Sequence, residues 1–278
     1  MNAGSKSMKS YPLAIYFILA FVISWGAIFI SVGPRGFPVT EDQLPVLIIA
    51  MLLGPSLAGI MTAGLTSGKQ GIRDLFIGLL RWRVDIRWYT VALLTAPLST
   101  AMVLLVLSRF SSSFFTAFST SEDKITLVIM WIFSGLLVGL FEELGWTGFA
   151  IPRMRNKYGI FTTGLLVGLL WGAWHFLVNL EADTFSGALP LALLIARLFT
   201  WLPAYRVLMV WVYDRTESQF IVTLMHVSLV ATTGILDPVI EGENLLIFLL
   251  VKAAVFWIFA AVVLLTRKRE VQLVMPVA

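Results

Sequence analysis

Apolar residues run through this chain in long blocks, each closed by a short polar or basic break. A helix needs about 20 mostly apolar residues to cross the hydrocarbon core of a bilayer. Eight stretches reach that length, at about 11–32, 43–66, 88–108, 125–150, 160–180, 188–212, 219–236 and 244–266. The fourth and sixth are the least uniform, since one contains Glu142 and Glu143 and the other Arg197 and Pro203. The fold class this predicts is all-α, a polytopic transmembrane helical bundle of about eight helices. Lys6 and Lys9 precede the first block, which is longer than the apolar core of a signal peptide and is followed by no small-residue cleavage site. It reads as a retained first helix. Between blocks, the segment 67–87 sets Ile72, Leu75, Phe76, Leu79 and Leu80 among basic residues. That pattern suits a helix lying in the membrane interface, or equally a loop held by anionic lipid.

Composition strengthens this picture. Of 278 residues, 59% are hydrophobic and 13% charged, where a globular chain carries roughly a quarter charged residues. No polar stretch is long enough for a soluble domain, so 1–278 reads as one integral membrane domain. The net charge of +4 does not indicate nucleic acid, because the basic residues cluster beside apolar blocks. They follow the bias that sets membrane orientation. With the N-terminus inside, the inner segments hold Lys6, Lys9, Lys69, Arg73, Arg81, Arg83, Arg87, Arg153, Arg155, Lys157, Arg206, Arg215, Arg267, Lys268 and Arg269. The outer segments hold Arg35, Arg109 and Lys124, with Glu181, Asp183, Asp237, Glu241 and Glu243. Both termini are therefore expected on the cytoplasmic side of a cell membrane. The chain has no cysteine, which excludes disulfides, thiolate metal sites and cysteine nucleophiles. No repeat, low-complexity tract or internal duplication of the kind found in two-halved transporters is present.

Small residues four apart let helices approach closely in lipid. Gly135 and Gly139 share a helix face with Glu142, and Gly164 and Gly168 share one with His175. These two faces are expected to pack together and bring a carboxylate towards a histidine.

Ionisable groups inside spans are costly and mark function by default. Here they are few: Glu142 and Glu143 on the fourth block, His175 on the fifth and His226 on the seventh, the chain's 2 histidines both lying within spans. Adjacent carboxylates in a low dielectric repel. A carboxylate beside a histidine can take a proton from water and pass one to a leaving amine, and a second histidine can donate to a developing oxyanion. Glu142, His175 and His226 could instead hold a divalent metal such as zinc with an open water position. The plainer alternatives are an interfacial Glu-Glu pair that snorkels and histidines that only pack. Trp146, Trp171 and Trp174 read as packing or interfacial aromatics, Asn179 as a bond across helices, and Arg197 and Lys252 as snorkelling cations near outer ends. Three polar sites, in order, on separate helices favour chemistry.

In that order the motifs resemble the CAAX protease and bacteriocin-processing (CPBP) family, intramembrane endopeptidases that include type II CAAX prenyl proteases. The family's Glu-Glu-x-x-x-Arg motif is matched by Glu142-Glu143-Leu144-Gly145-Trp146-Thr147, its aromatic-x-x-x-His motif by Trp171-Gly172-Ala173-Trp174-His175, and the start of its third motif by His226. The resemblance covers about 125–235, read as the catalytic core helices around a cavity. It implies that Glu142 and His175 activate water, Glu143 supports the site and His226 helps form the oxyanion hole. Two positions depart. Thr147 stands at the family's arginine, with Arg153 further along as a substitute. Val230 stands at its asparagine, with Ser228 or Thr233 as substitute donors.

The reading is an intramembrane endopeptidase that hydrolyses a peptide bond with Glu/His-activated water in a cavity open to the inner face. No serine-protease or ordinary zinc-protease motif is present, and no cofactor is required unless zinc is bound. A peptide or membrane-protein substrate, prenylated or not, and the lipid bilayer are the expected partners. The rivals are an inactive immunity or scaffold protein, favoured by Val230, and a proton- or cation-coupled transporter.

Overall fold

The structure, a computed structural model, describes residues 11–33 and 43–274. Lys6, Lys9 and Arg35 lie outside the described residues, as do the side chains of Arg267, Lys268 and Arg269. The long helices are α1 (Pro12–Val32), α2 (Leu44–Leu79), α3 (Ile86–Leu107), α4 (Lys124–Gly145), α5 (Ile160–Trp174), α6 (Ala188–Phe199), α7 (Leu202–Thr216), α8 (Gln219–Leu236) and α9 (Gly242–Val274). No strand occurs among the described residues. After α4 the chain makes one wider π-helical turn, Trp146–Ala150, and then a helical turn, Ile151–Arg155.

Local chemistry sets the ends. Asp85, Asp123 and Ser218 accept from the backbone N–H groups of Arg87, Thr126 and Ile221 at the starts of α3, α4 and α8, satisfying donors that have no partner within the helix. Pro12, Pro45 and Pro203 sit in first turns, where a missing N–H costs nothing. Glu217 closes α7 in the left-handed region at φ 49°, and only Ser218 then separates α7 from α8.

Two prolines lie inside helices, and each leaves the carbonyl four residues earlier without its donor. In lipid that carbonyl must be satisfied by protein. Pro55 frees Met51, whose oxygen accepts from Ser24 Oγ on α1 at 2.6 Å. Pro97 frees Leu93, whose oxygen accepts from Ser228 Oγ on α8 at 2.7 Å. Each helix break thus becomes a cross-helix bond.

Seven segments are long and apolar enough to span a membrane: Pro12–Val32, Pro45–Leu79, Ile86–Leu107, Lys124–Arg155, Ala188–Thr216, Gln219–Leu236 and Gly242–Thr266. The expected eighth, 160–180, is not among them. Its helix α5 has 15 residues and rises about 22 Å, short of the roughly 30 Å core. The apolar run continues past Trp174, but His175 ends the helix. The block expected at 188–212 is two helices, α6 and α7, broken at Thr200 and Trp201. Beyond α2's left-handed Gly68 (φ 62°) the amphipathic segment is helical. It docks on the α7–α8 junction, with Arg81 Nη1 on Glu217 Oε2 at 2.8 Å and Arg81's carbonyl accepting from Ser218.

The glycine faces find partners other than those expected. A Cβ on Gly135 would lie 2.7 Å from the carbonyl oxygen of Val227, and one on Gly139 3.2 Å from that of Thr223, so this face of α4 receives α8. A Cβ on Gly164 would lie 2.5 Å from Val207 Cα, and one on Gly168 2.5 Å from Pro203 Cα, so this face of α5 receives α7. The opposite face of α4, with Ile129, Ile132, Phe133, Leu136 and Leu140, is exposed, as a lipid-facing surface would be.

Candidate active site

All four sequence-identified residues come together. Glu142 and Glu143 are the last polar residues of α4 before the π-helical turn, a feature often found at functional sites. Both are buried, Glu143 completely. On a helix adjacent side chains diverge by about 100°, so the pair faces two environments. Glu142 lines a cavity of about 350 Å³, together with His175 and His226. Glu143 turns away from that cavity into a polar cluster behind its wall.

Trp171 Nε1 donates to Glu142 Oε2 at 2.6 Å, holding one carboxylate oxygen. His175 lies one turn after Trp171. Its Nδ1 is 2.8 Å from the carbonyl oxygen of Trp171, an acceptor only, so Nδ1 carries the proton and Nε2 has the lone pair. The imidazole is thereby a side-chain cap on the end of α5, with its ring edge-on to Trp171 and Trp174 at centroid distances of 5.5 and 4.8 Å. Trp174 anchors that end in turn, since its Nε1 donates to Ser24 Oγ at 2.9 Å and its carbonyl accepts from Trp25 at 3.0 Å.

Glu143 is held from four directions. Arg206 Nη1 donates to both carboxylate oxygens at 2.8 Å. Thr147, one turn on, donates to Oε2, and His226 Nδ1 lies 2.7 Å from Oε1. Gln219 Nε2 donates to the Glu143 backbone carbonyl at 3.2 Å. With Nδ1 occupied by Glu143, His226 presents Nε2 to the cavity.

Several roles change accordingly. Arg206, counted with the inner-loop cations, is fully buried on α7 and stacks on the Trp171 ring at 4.2 Å. Sequence reasoning left it out of the site, although its position within the apolar block 188–212 was a visible signal. Arg153 does not reach the site, for it lies over Phe149 at 3.7 Å and donates to that residue's carbonyl. Trp171 is a hydrogen-bonding wall of the cavity as well as packing. Asn179 does not bond across helices; it donates to the carbonyl of His175 at 2.9 Å and lines the cavity. Lys252 is buried against Asp237 at 2.6 Å rather than snorkelling, and Arg197 pairs with Glu181 at the cavity rim. Ser228 is committed to Leu93, while Val230 and Thr233 both line the cavity.

The cavity lining extends towards one end of the bundle. Trp131, Asn179 and Asp237 in its lining lie towards the helix ends that lead into the connections 108–123, 180–187 and 237–241, and Arg197 in the lining pairs with Glu181 of the second of these. Ala117 N bonding to the Asp237 carbonyl at 3.3 Å ties two of these together. This is the acid-bearing end of the bundle.

The donor set bears on the metal alternative. Among the described residues no three His, Asp or Glu side chains gather as a ligand group. In Glu142, His175 and His226, one potential donor atom each is already taken by Trp171 or Glu143. Glu142 Oε1 and Nε2 of each histidine are left, donors that a water or a divalent cation could use.

Comparison with known proteins agrees with the geometry. Residues 124–232 match the family model described as type II CAAX prenyl endopeptidase, Rce1-like. The chain is similar to a CAAX prenyl protease 2 of Methanococcus maripaludis, 25% identical over 177 residues, which is 61% of this chain and 64% of that relative. The match therefore spans less than two thirds of the relative's length.

Proposed function

From the match of residues 124–232 to the Rce1-like family model, we propose that this chain is an intramembrane endopeptidase of CAAX type, within the wider CPBP group of intramembrane proteases. The observation that carries the reading is the single cavity lined by Glu142, His175 and His226, with the two histidines held at Nδ1 so that each offers Nε2.

In this mechanism a water sits between the free oxygen of Glu142 and His175 Nε2. Glu142 takes a proton as the water oxygen attacks the scissile carbonyl carbon. The carbonyl π electrons move to oxygen, and His226, in its doubly protonated form, stabilises that oxyanion by donating from Nε2 while Nδ1 donates to Glu143. The tetrahedral intermediate collapses, the C–N bond breaks, and Glu142 returns its proton to the leaving amine. Thr233, in the wall near Val230, is the second donor we assign to the oxyanion. The substrate is a peptide or membrane-protein segment entering an apolar cavity, and a prenylated C-terminal peptide of the kind named for the relative is the first to try. We further read residues 1–278 as one multi-pass domain of a cell membrane with both termini cytoplasmic. That counts α5 as a short eighth pass and opens the cavity to the non-cytoplasmic face.

Val230 favours one other reading, an inactive immunity or scaffold protein on the same fold. Detergent-purified protein assayed on fluorogenic peptides, farnesylated CAAX peptides included, separates the two. Glu142→Ala, His175→Ala and His226→Ala should each lower kcat by about 10³-fold or more, as loss of a general base or an oxyanion donor does. Cleavage unaffected by a chelator is expected; abolition by chelator and recovery with zinc would reverse the choice of water activation. Folded wild type that cleaves nothing these variants spare would leave the inactive reading standing.

A further inference from the structure

The first motif of the family ends in an arginine, and this chain has Thr147 there. The cluster behind the cavity nevertheless contains a guanidinium. Arg206 is completely buried and comes from α7, which is 59 residues further along than Thr147 in sequence (206 − 147). A buried cation is stable only when paired and hydrogen-bonded, and Arg206 Nη1 contacts both oxygens of Glu143 at 2.8 Å. Its guanidinium also lies 4.2 Å from the Trp171 ring centre, and Trp171 is the residue that donates to Glu142. Arg206 therefore touches the supports of both halves of the site: Glu143, which holds His226, and Trp171, which holds Glu142.

Access for this arginine is built into α5. Gly168 brings α7 so near that an added Cβ would lie 2.5 Å from Pro203 Cα and 3.2 Å from Arg206 Cβ. Thr147 contributes only a hydroxyl to Glu143. A longer residue there would contend for the space the guanidinium fills.

We propose that Arg206 is the positioning residue of this site, supplying from α7 the guanidinium that the motif's own arginine position lacks, and setting the orientation of His226 through Glu143. It rests on the endopeptidase reading for its kinetic test alone. Its structural test stands apart, because the chain has only 2 histidines and the ring nitrogens of both can be followed by NMR in protein labelled with 15N-histidine, with His175→Gln assigning them.

Arg206→Met, Arg206→Ala, Arg206→Lys and the double variant Thr147→Arg/Arg206→Ala should be compared with wild type. Arg206→Met is expected to shift or broaden the His226 ring signals and leave those of His175 in place. It should lower kcat by about 10²-fold, the size of a small misplacement of catalytic groups, with KM changed less than about threefold, since the lost interaction is expressed in the transition state. Arg206→Lys should recover part of both effects, and the double variant should recover more than Arg206→Ala alone. If Arg206→Met does not fold, Arg206→Lys, which keeps a buried cation beside Glu143, provides the NMR readout with Glu143 in place. Unchanged His226 signals in a folded variant lacking Arg206 would overturn the proposal. A folded double variant with no recovery would overturn the equivalence of the two arginine positions. Inactive wild type whose His226 signals still respond to Arg206 would sink the endopeptidase reading and leave the positioning role standing.

Discussion

Glu142 and Glu143 are neighbours with opposite assignments, and their surroundings decide which does what. Glu143 has a cation, a hydroxyl and an imidazole on its oxygens, so none of its lone pairs is free for substrate. Glu142 has one indole N–H and a cavity in front of it. Trp171→Phe should expose this division, because it removes the N–H and keeps a ring for Arg206 to stack on. A hydrogen bond to a carboxylate contributes about 1.5–3 kcal/mol, so kcat should fall roughly 10- to 100-fold with the fold intact. Trp174→Phe, which loses its bond to Ser24, should lower thermal stability with less effect on kcat. Equal kcat in wild type and Trp171→Phe would mean that the indole does not orient the base. At this scale the sequence was most legible in the ionisable residues placed inside spans, the two glutamates and two histidines, which the structure gathers at one cavity and the cluster behind it. Arg206 was hidden because a charge census assigns every arginine near the end of an apolar block to a loop. Its place inside the block 188–212 was the signal against that, and the helix from Leu202 to Thr216 carries it.

Helix faces were legible as narrow or wide, but their partners were not. Four-residue glycine spacing states that a neighbour comes close, and nothing in it says which neighbour. The face of α4 took α8 and the face of α5 took α7, so Glu142 and His175 meet across the cavity rather than through a glycine seam. Helix length was misread for a related reason. Hydropathy counts apolar side chains, and Phe176, Leu177 and Val178 continue the count after the hydrogen bonds of α5 have stopped. The glycine contacts make a sharp contrast for measurement. Gly168→Ala would thrust a methyl group at Pro203 and should destabilise by about 1–3 kcal/mol, as overpacking does. Gly26→Ala, whose Cβ would meet nothing within 4 Å, should be neutral or stabilising by up to about 1 kcal/mol through helix propensity. Thermal unfolding in detergent reports both. A Gly168→Ala protein as stable as wild type would mean that α5 and α7 can separate at no cost, which would also undercut the route by which Arg206 reaches Glu143.

On the scale of the molecule, the charge pattern and the cavity make a joint statement. Basic residues Arg153, Arg155 and Lys157 precede α5, and Glu181 and Asp183 follow it. By the positive-inside bias α5 should therefore cross the membrane despite its 15 residues. Its shortfall coincides with the cavity, where the chain leaves the helix at His175, makes the turn Leu177–Asn179 and lines an open space instead of meeting lipid. Non-helical backbone at membrane depth is tolerated in that setting. A half-length helix that turned back would instead leave the segments on either side of it on one face of the bilayer. Because the chain contains no cysteine, single cysteines read this directly. Introduced at Tyr158, at Ala182 and at Thr233 in the cavity wall, they would be treated in intact cells with a membrane-impermeant maleimide. Ala182→Cys and Thr233→Cys should react from outside, and Tyr158→Cys only after permeabilisation. Reaction of Tyr158→Cys and Ala182→Cys from the same side would remove the eighth pass. Reaction of Thr233→Cys only from within would turn the cavity to the cytoplasm and with it the side from which a peptide must enter.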